Sequence, residues 1–126
     1  MKVSIVGASG YGGGELLRLL LQHPQVEIQQ CTSERFVGKP VTRLHPNLRK
    51  RTALKFSSVQ ELEKTYLLFT ALPHTRCMQK FEAFRSLADR IIDLSADFRL
   101  KDPAAYGRWY GVDHTQPAVL DEFVYG

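Results

Sequence analysis

The chain opens with Val3-Ser4-Ile5-Val6-Gly7-Ala8-Ser9-Gly10-Tyr11-Gly12-Gly13, a short apolar strand that runs into Gly-x-x-Gly-x-x-Gly. Directly behind it, Gly14-Glu15-Leu16-Leu17-Arg18-Leu19-Leu20-Leu21 reads as a helix. Glycines let the backbone turn tightly and approach a ligand closely. Free N–H groups at the start of a helix then face that ligand with the positive end of the helix dipole. The layout is that of a phosphate cradle, and it points to a nucleotide cofactor. The same three glycines would also serve a strand-to-helix turn that holds nothing.

Downstream, strand and helix patterns alternate. Val3–Val6 reads as a strand buried on both faces, because it is continuously apolar. A helix is expected from about Gly12 to Gln22, with Leu16, Leu17, Leu20 and Leu21 inward and Arg18 and Gln22 outward. Pro24 closes it, Val26–Cys31 is a second strand, and Thr32–Gly38 leaves that strand as a polar loop. Residues 39–53 look irregular around Pro40 and Pro46. Ala53–Phe56 reads as a short strand, and Ser58 with Glu61 three residues on has the form of a capping box. Tyr66–Leu72 is a further strand ended by Pro73. Thr75–Leu87 is a helix with Met78, Phe81, Phe84 and Leu87 inward, and Arg90–Leu94 is the last strand. Strands separated by helices imply right-handed crossovers. The fold class is therefore α/β: Rossmann-like, doubly wound, with a mainly parallel sheet and helices on both faces. Residues 95–126 are rich in aromatics but show little periodicity. They read as a tail packed on the sheet, or as the approach to further structure.

At 126 residues, 44% hydrophobic and 24% charged, the composition is that of one globular domain. No apolar run approaches the ~20 residues of a membrane span. The strand so near the start speaks against a signal peptide, and Cys31 and Cys77 have neither metal-like nor CxxC spacing. The expectations are a reduced cytoplasmic setting and no metal site, disulfide or membrane partner. The net charge of +4 is partly carried by Arg43, Arg49, Lys50 and Arg51. Without a helix-turn-helix, zinc pattern or aromatic platform, this reads as a solvated basic loop rather than a nucleic-acid surface. It also raises the local potential for an anionic ligand.

In this fold an acidic residue at the end of the second strand usually binds the ribose hydroxyls of NAD. Glu27 lies too early for that role. Glu34 is better placed, but Ser33 and Arg35 flank it. A hydroxyl and a guanidinium suit a 2′-phosphate, since charge-assisted bonds to a dianion are among the strongest available. The expected cofactor is NADP(H), with Arg35 as an ordinary surface arginine the competing reading.

Five further segments follow the glycine turn in order: Thr32-Ser33-Glu34-Arg35, Ala71-Leu72-Pro73-His74, Asp93-Leu94-Ser95-Ala96-Asp97-Phe98-Arg99-Leu100, Tyr110-Gly111 and Val124-Tyr125-Gly126. Taken together the chain resembles the amino-terminal part of the N-acetyl-gamma-glutamyl-phosphate reductases of arginine biosynthesis. It is similarly close to their lysine-pathway paralogues, which act on a carrier-linked aminoadipyl phosphate, and His45-Pro46-Asn47-Leu48-Arg49 is nearer the latter. The resemblance implies that Gly7, Ser9, Gly10, Tyr11, Gly12 and Gly13 contact the cofactor pyrophosphate. It implies that Ser33, Glu34 and Arg35 meet the 2′-phosphate, and that Leu72 and Pro73 lie on the nicotinamide side. The family chemistry is reductive dephosphorylation: a cysteine thiolate attacks the acyl phosphate, phosphate leaves, and hydride from NADPH releases a semialdehyde.

The family's nucleophile belongs to a Pro/Gly-Cys motif beyond the Tyr-Gly segment. Neither Cys31 nor Cys77 has that context, so both are expected to be buried structural thiols. On this reading the chain contains no catalytic residue and binds cofactor without turnover. The acyl-phosphate substrate is met by the remainder of a homo-oligomeric enzyme. His74 is expected to be structural. Tyr66 stands where an acidic residue is common in the family and Thr75 where glycine is common. Two other readings stay open: a non-catalytic NADP(H)-sensing module with the tail aromatics as its partner surface, and a semialdehyde dehydrogenase of the aspartate type.

Overall fold

The computed structural model describes residues 1–126. Strands β1 (Lys2–Val6), β2 (Glu27–Cys31), β3 (Thr65–Thr70) and β4 (Ala88–Asp93) form one parallel sheet in the order β2-β1-β3-β4. Helices α1 (Tyr11–Leu20) and α2 (Arg76–Leu87) follow β1 and β3, and α3 (Pro103–Tyr110) follows β4. Single-turn and short 3₁₀ segments occupy Val41–Arg43, Pro46–Leu48, Val59–Glu61 and Pro117–Glu122. From β1 the chain steps first to one side, to β2, and then back to the other, to β3. The carboxyl end of β1 is therefore the switch point where open α/β sheets bind ligands.

The apolar run of β1 is buried because both faces of the sheet are covered. Ile5 joins Ala8, Leu17, Cys31, Val41, Leu48 and Phe56 on the α1 side. Val6 points the other way, into a larger cluster built on Leu68, Met78, Phe81, Phe84, Phe98 and Tyr106. Adjacent residues serve opposite cores, as the pleat requires. This is the expected doubly wound α/β architecture. On α1, Leu17 is fully buried, whereas Leu16, Leu20 and Leu21 are half-buried against the same cluster.

Several boundaries move. Helix α1 starts one residue earlier and ends two earlier than the expected Gly12–Gln22, with the Leu21 N–H closing it onto the Leu17 carbonyl. Strand β3 stops at Thr70 rather than Leu72, and β4 begins at Ala88, straight out of α2. The short strand expected at Ala53–Phe56 does not form. Lys55 and Ser57 instead make isolated bridges to Pro40 and Thr32, and Pro40 has no N–H with which to extend a ladder. The capping box is present: Ser58 accepts from the Gln60 N–H at 3.2 Å, and Glu61 accepts from the Ser58 N–H at 2.8 Å.

Residues 95–126 are packed on the sheet and contain a helix that their weak periodicity hid. Asp102 accepts the Ala104 N–H at 2.9 Å, Pro103 occupies the first turn, and Gly111 closes α3 in the left-handed region at φ 73°. That is the usual grammar of a helix start and stop. The tail is then fastened by the Lys101 ammonium, which donates to the carbonyls of Leu120 and Phe123. Phe123 also stacks on Phe98, their centroids 4.2 Å apart. No helix is long and apolar enough to cross a membrane.

Candidate dinucleotide site

The glycine turn leaves β1 at the switch point and is held from below by the end of β2. The Ala8 N–H donates to the Thr32 carbonyl at 2.8 Å, and the Gly7 N–H reaches Thr32 Oγ1 at 3.4 Å. Two of its glycines are required by the fold itself. Gly7 has φ 81°, and a Cβ there would lie 2.6 Å from the Ala71 carbonyl oxygen; one on Gly13 would lie 2.5 Å from Ala8 Cα. Gly10 differs, because a Cβ there would meet nothing within 4 Å, and one on Gly12 would make only ordinary contacts with Ala71 and Leu94. Their missing side chains leave open space at the mouth of the turn.

The N–H groups of Ser9, Gly10, Tyr11, Gly12 and Gly13 bond to nothing in the chain. No side chain caps α1 and no acidic residue lies in its first turn. These unpaired donors lie at the positive end of the helix, an arrangement whose charge and geometry suit an anion. Tyr11 is fully exposed beside them.

The sequence-predicted 2′-phosphate corner adjoins this turn. Ser33 is buried, and its Oγ donates to Ser9 Oγ at 3.0 Å, joining the two predicted phosphate contacts. The N–H groups of Glu34 and Arg35 are unpaired. The Glu34 carboxylate is turned away to cap the Val59–Glu61 segment, accepting the Val59 N–H at 2.7 Å. The Arg35 guanidinium is exposed and lies 5.6 Å from the Phe36 ring centroid.

On the other side, β3 runs out through Ala71, whose N–H donates to the Val6 carbonyl at 2.8 Å. Leu72 is half-buried and Pro73 exposed, forming an apolar edge beside Gly7. His74 is exposed and lies against Tyr110, 5.9 Å between centroids. Behind this edge the Asp-Leu-Ser-Ala-Asp-Phe-Arg run acts as a clamp. Asp93 accepts from the Thr70 hydroxyl at 2.6 Å and from the Ser95 hydroxyl at 2.7 Å. Asp97, fully buried, accepts the N–H groups of Thr75 and Met78 and the hydroxyl of Tyr106. It is thus the N-terminal cap of α2, supplied from another element. Burial, reinforced by the Asp97 carboxylate, pushes the Tyr106 phenol upward. His114 is also buried here; its Nδ1 accepts the Gln116 N–H at 2.9 Å, so its Nε2–H donates to the Asp97 carbonyl.

Both cysteines are free and buried. Burial pushes the Cys31 thiol up to about 12. Burial, with Asp93 and Asp97 nearby, pushes the Cys77 thiol upward as well. Neither has the depressed pKa and access of a nucleophilic thiol. No group of three or more His, Cys, Asp or Glu side chains is arranged to hold a metal ion. Sequence reasoning missed two residues that shape the site. One is Asp97, whose motif was noticed but not its capping role. The other is His45, whose Nε2 lies 2.8 Å from the Ala8 carbonyl oxygen of the glycine turn.

Residues 2–123 match the model of the family described as semialdehyde dehydrogenase, NAD binding domain. The chain belongs to that family. Over all 126 residues it is 55% identical to a putative [LysW]-L-2-aminoadipate 6-phosphate reductase of Thermomicrobium roseum, of which it spans 36%. It is 50% identical to an N-acetyl-gamma-glutamyl-phosphate reductase of Methanopyrus kandleri, over 98% of this chain and 38% of that one. This member of the semialdehyde dehydrogenase family thus spans little more than a third of the length of these curated relatives. Among solved structures it is similar to the aspartate semialdehyde dehydrogenase of Candida albicans determined with NADP. The TM-score is 0.64 at 18% identity, covering 81% of this chain and 31% of that one. At that identity the likeness concerns the fold alone.

Proposed function

We propose that this chain is the NADP(H)-binding part of an acyl-phosphate reductase. The observation that carries the reading is the set of unpaired N–H groups from Ser9 to Gly13, at the switch point of the sheet. Gly10 and Gly12 leave open the space that a pyrophosphate would fill. Ser9, Gly10, Tyr11, Gly12 and Gly13 bind it through their main chain, while Gly7 gives the turn its shape. The 2′-phosphate lies at the corner of Ser33, Glu34 and Arg35. Glu34 contributes its N–H there, with its carboxylate held away on Val59, and Arg35 contributes the opposite charge. Ser33 positions Ser9 through their shared hydrogen bond. A carboxylate so engaged is not free to bind ribose hydroxyls, which favours NADP over NAD. Leu72 and Pro73 bound the nicotinamide side and exclude water from it. When bound, the cofactor supplies a hydride.

In the whole protein that hydride converts an acyl phosphate to a semialdehyde with release of phosphate. The substrate is an N-acetyl-gamma-glutamyl phosphate or a carrier-linked aminoadipyl phosphate, as in the names of the two relatives above. The thiols of Cys31 and Cys77 take no part, and nucleophile and proton donor come from outside these 126 residues. The whole enzyme is a cytoplasmic homo-oligomer on this reading. Fluorescence titration tests the cofactor assignment. Micromolar NADPH binding with weaker NADH binding supports it. Equal affinity for both sinks the 2′-phosphate corner, and binding of neither sinks the site.

A further inference from the structure

The glycine turn is gripped from above as well as below. His45 lies between the 3₁₀ turns Val41–Arg43 and Pro46–Leu48, and its own backbone is pinned twice. Its N–H donates to the Val41 carbonyl and its carbonyl accepts from Leu48, each at 3.0 Å. The ring packs near Phe56, with centroids 6.5 Å apart and planes at 70°. It crosses the first turn of α1 at Gly14, where a Cβ would sit 2.5 Å from Cε1 and 2.7 Å from Nδ1. Through that gap Nε2 comes within 2.8 Å of the Ala8 carbonyl oxygen. A carbonyl only accepts, so Nε2 carries the proton and donates it.

The geometry points to His45 as a positioning residue of the dinucleotide site, and this rests on the cofactor reading above. The peptide groups of Ala8 are fixed on both sides, the N–H by Thr32 and the carbonyl by His45. With that residue immobile, the following N–H groups of Ser9 to Gly13 point outward before any ligand arrives. A preformed anion site avoids the cost of ordering its loop on binding. Gly14 belongs to the same device. Its missing side chain is neither a turn requirement nor space for ligand, but the passage for the imidazole.

Three variants separate the hydrogen bond from the shape. His45→Phe keeps a ring and removes the donor; His45→Gln keeps a donor near the Nε2 position. Gly14→Ala pushes the imidazole aside while favouring the helix. Two measurements are made on each: NADPH affinity by fluorescence titration, and backbone ¹⁵N order parameters of residues 8–12 without ligand. H45F and G14A should bind NADPH about tenfold more weakly, the cost of ordering the freed turn on binding, and show lowered order parameters. H45Q should stay near wild type in both. Wild-type order parameters in both H45F and G14A overturn the inference, even if no dinucleotide binds. Unchanged NADPH affinity in both overturns it as well. Wild-type protein that binds no NADPH overturns the cofactor reading instead, and the order parameters still decide the role of His45.

Discussion

The Asp97 carboxylate accepts the main-chain N–H of Thr75 at 2.6 Å, and Thr75 sits in the left-handed region at φ 74°. A β-branched residue there is a conformational outlier. The bond from Asp97 is part of what holds it, together with the Met78 N–H that the same carboxylate accepts at 2.9 Å. Asp97→Asn would set an amide NH₂ against one of these donors. With Asp97, Met78 and Tyr106 buried and Thr75 half-buried, the loss should be about 2–3 kcal/mol. Urea unfolding of the variant checks this; a change within about 0.5 kcal/mol would show that α2 is capped by something else.

Thr75 itself gives the opposite sign. Left-handed backbone costs an L-residue roughly 1–2 kcal/mol, and glycine removes that penalty while adding about 0.5–1 kcal/mol of unfolded-state entropy. The Thr75 N–H, which Asp97 needs, survives the change. Thr75→Gly should therefore stabilise by about 0.5–1 kcal/mol, read as a higher urea midpoint with an unchanged slope. A lower midpoint would mean that the threonine side chain makes a favourable contact outweighing its strain.

Parts of the fold with a local cause could be read from the sequence. Gly7 and Gly13 are required by positive φ and by close backbone approach, which the glycine spacing announces. The two-faced burial of β1 follows from its unbroken apolar run. Helix α3 is marked locally by Asp102-Pro103 at its start and Gly111 at its end, although its eight residues are too few to show a clear apolar period. What could not be read is long-range pairing. His45 meets Ala8 across 37 residues, and Asp97 meets Thr75 across 22. Glu34 shows the same limit. Its acidity is visible in the sequence, but the Val59 N–H that occupies it is 25 residues away.

The buried thiols make stability fall at alkaline pH. The Cys31 thiol rises from an ordinary 9.0 to about 12 in the folded chain. Its contribution is complete below pH 9, where both states are protonated, and is lost as pH rises toward 12, because only the unfolded chain releases the proton. The slope is about 1.4 kcal/mol per pH unit for each such thiol. Urea unfolding at pH 7 and pH 10 should show the drop, and Cys31→Ala should reduce it to the share that Cys77 contributes. An equal slope in that variant would place the alkaline sensitivity elsewhere.

Arg35 is the residue on which cofactor choice should turn. Its guanidinium is exposed beside Phe36, in no salt bridge, so no internal partner competes for a phosphate. Hydrogen bonds to a charged group contribute about 1.5–3 kcal/mol. Arg35→Ala should therefore weaken NADPH by about ten- to a hundredfold. NADH lacks the 2′-phosphate and should change little. Because the side chain is exposed and makes no hydrogen bond in the chain, stability should stay within about 0.5 kcal/mol. Parallel titrations with the two cofactors read the difference directly. If both weaken together, Arg35 shapes the loop rather than meeting the phosphate; if neither does, the 2′-phosphate lies away from the Ser33–Arg35 corner.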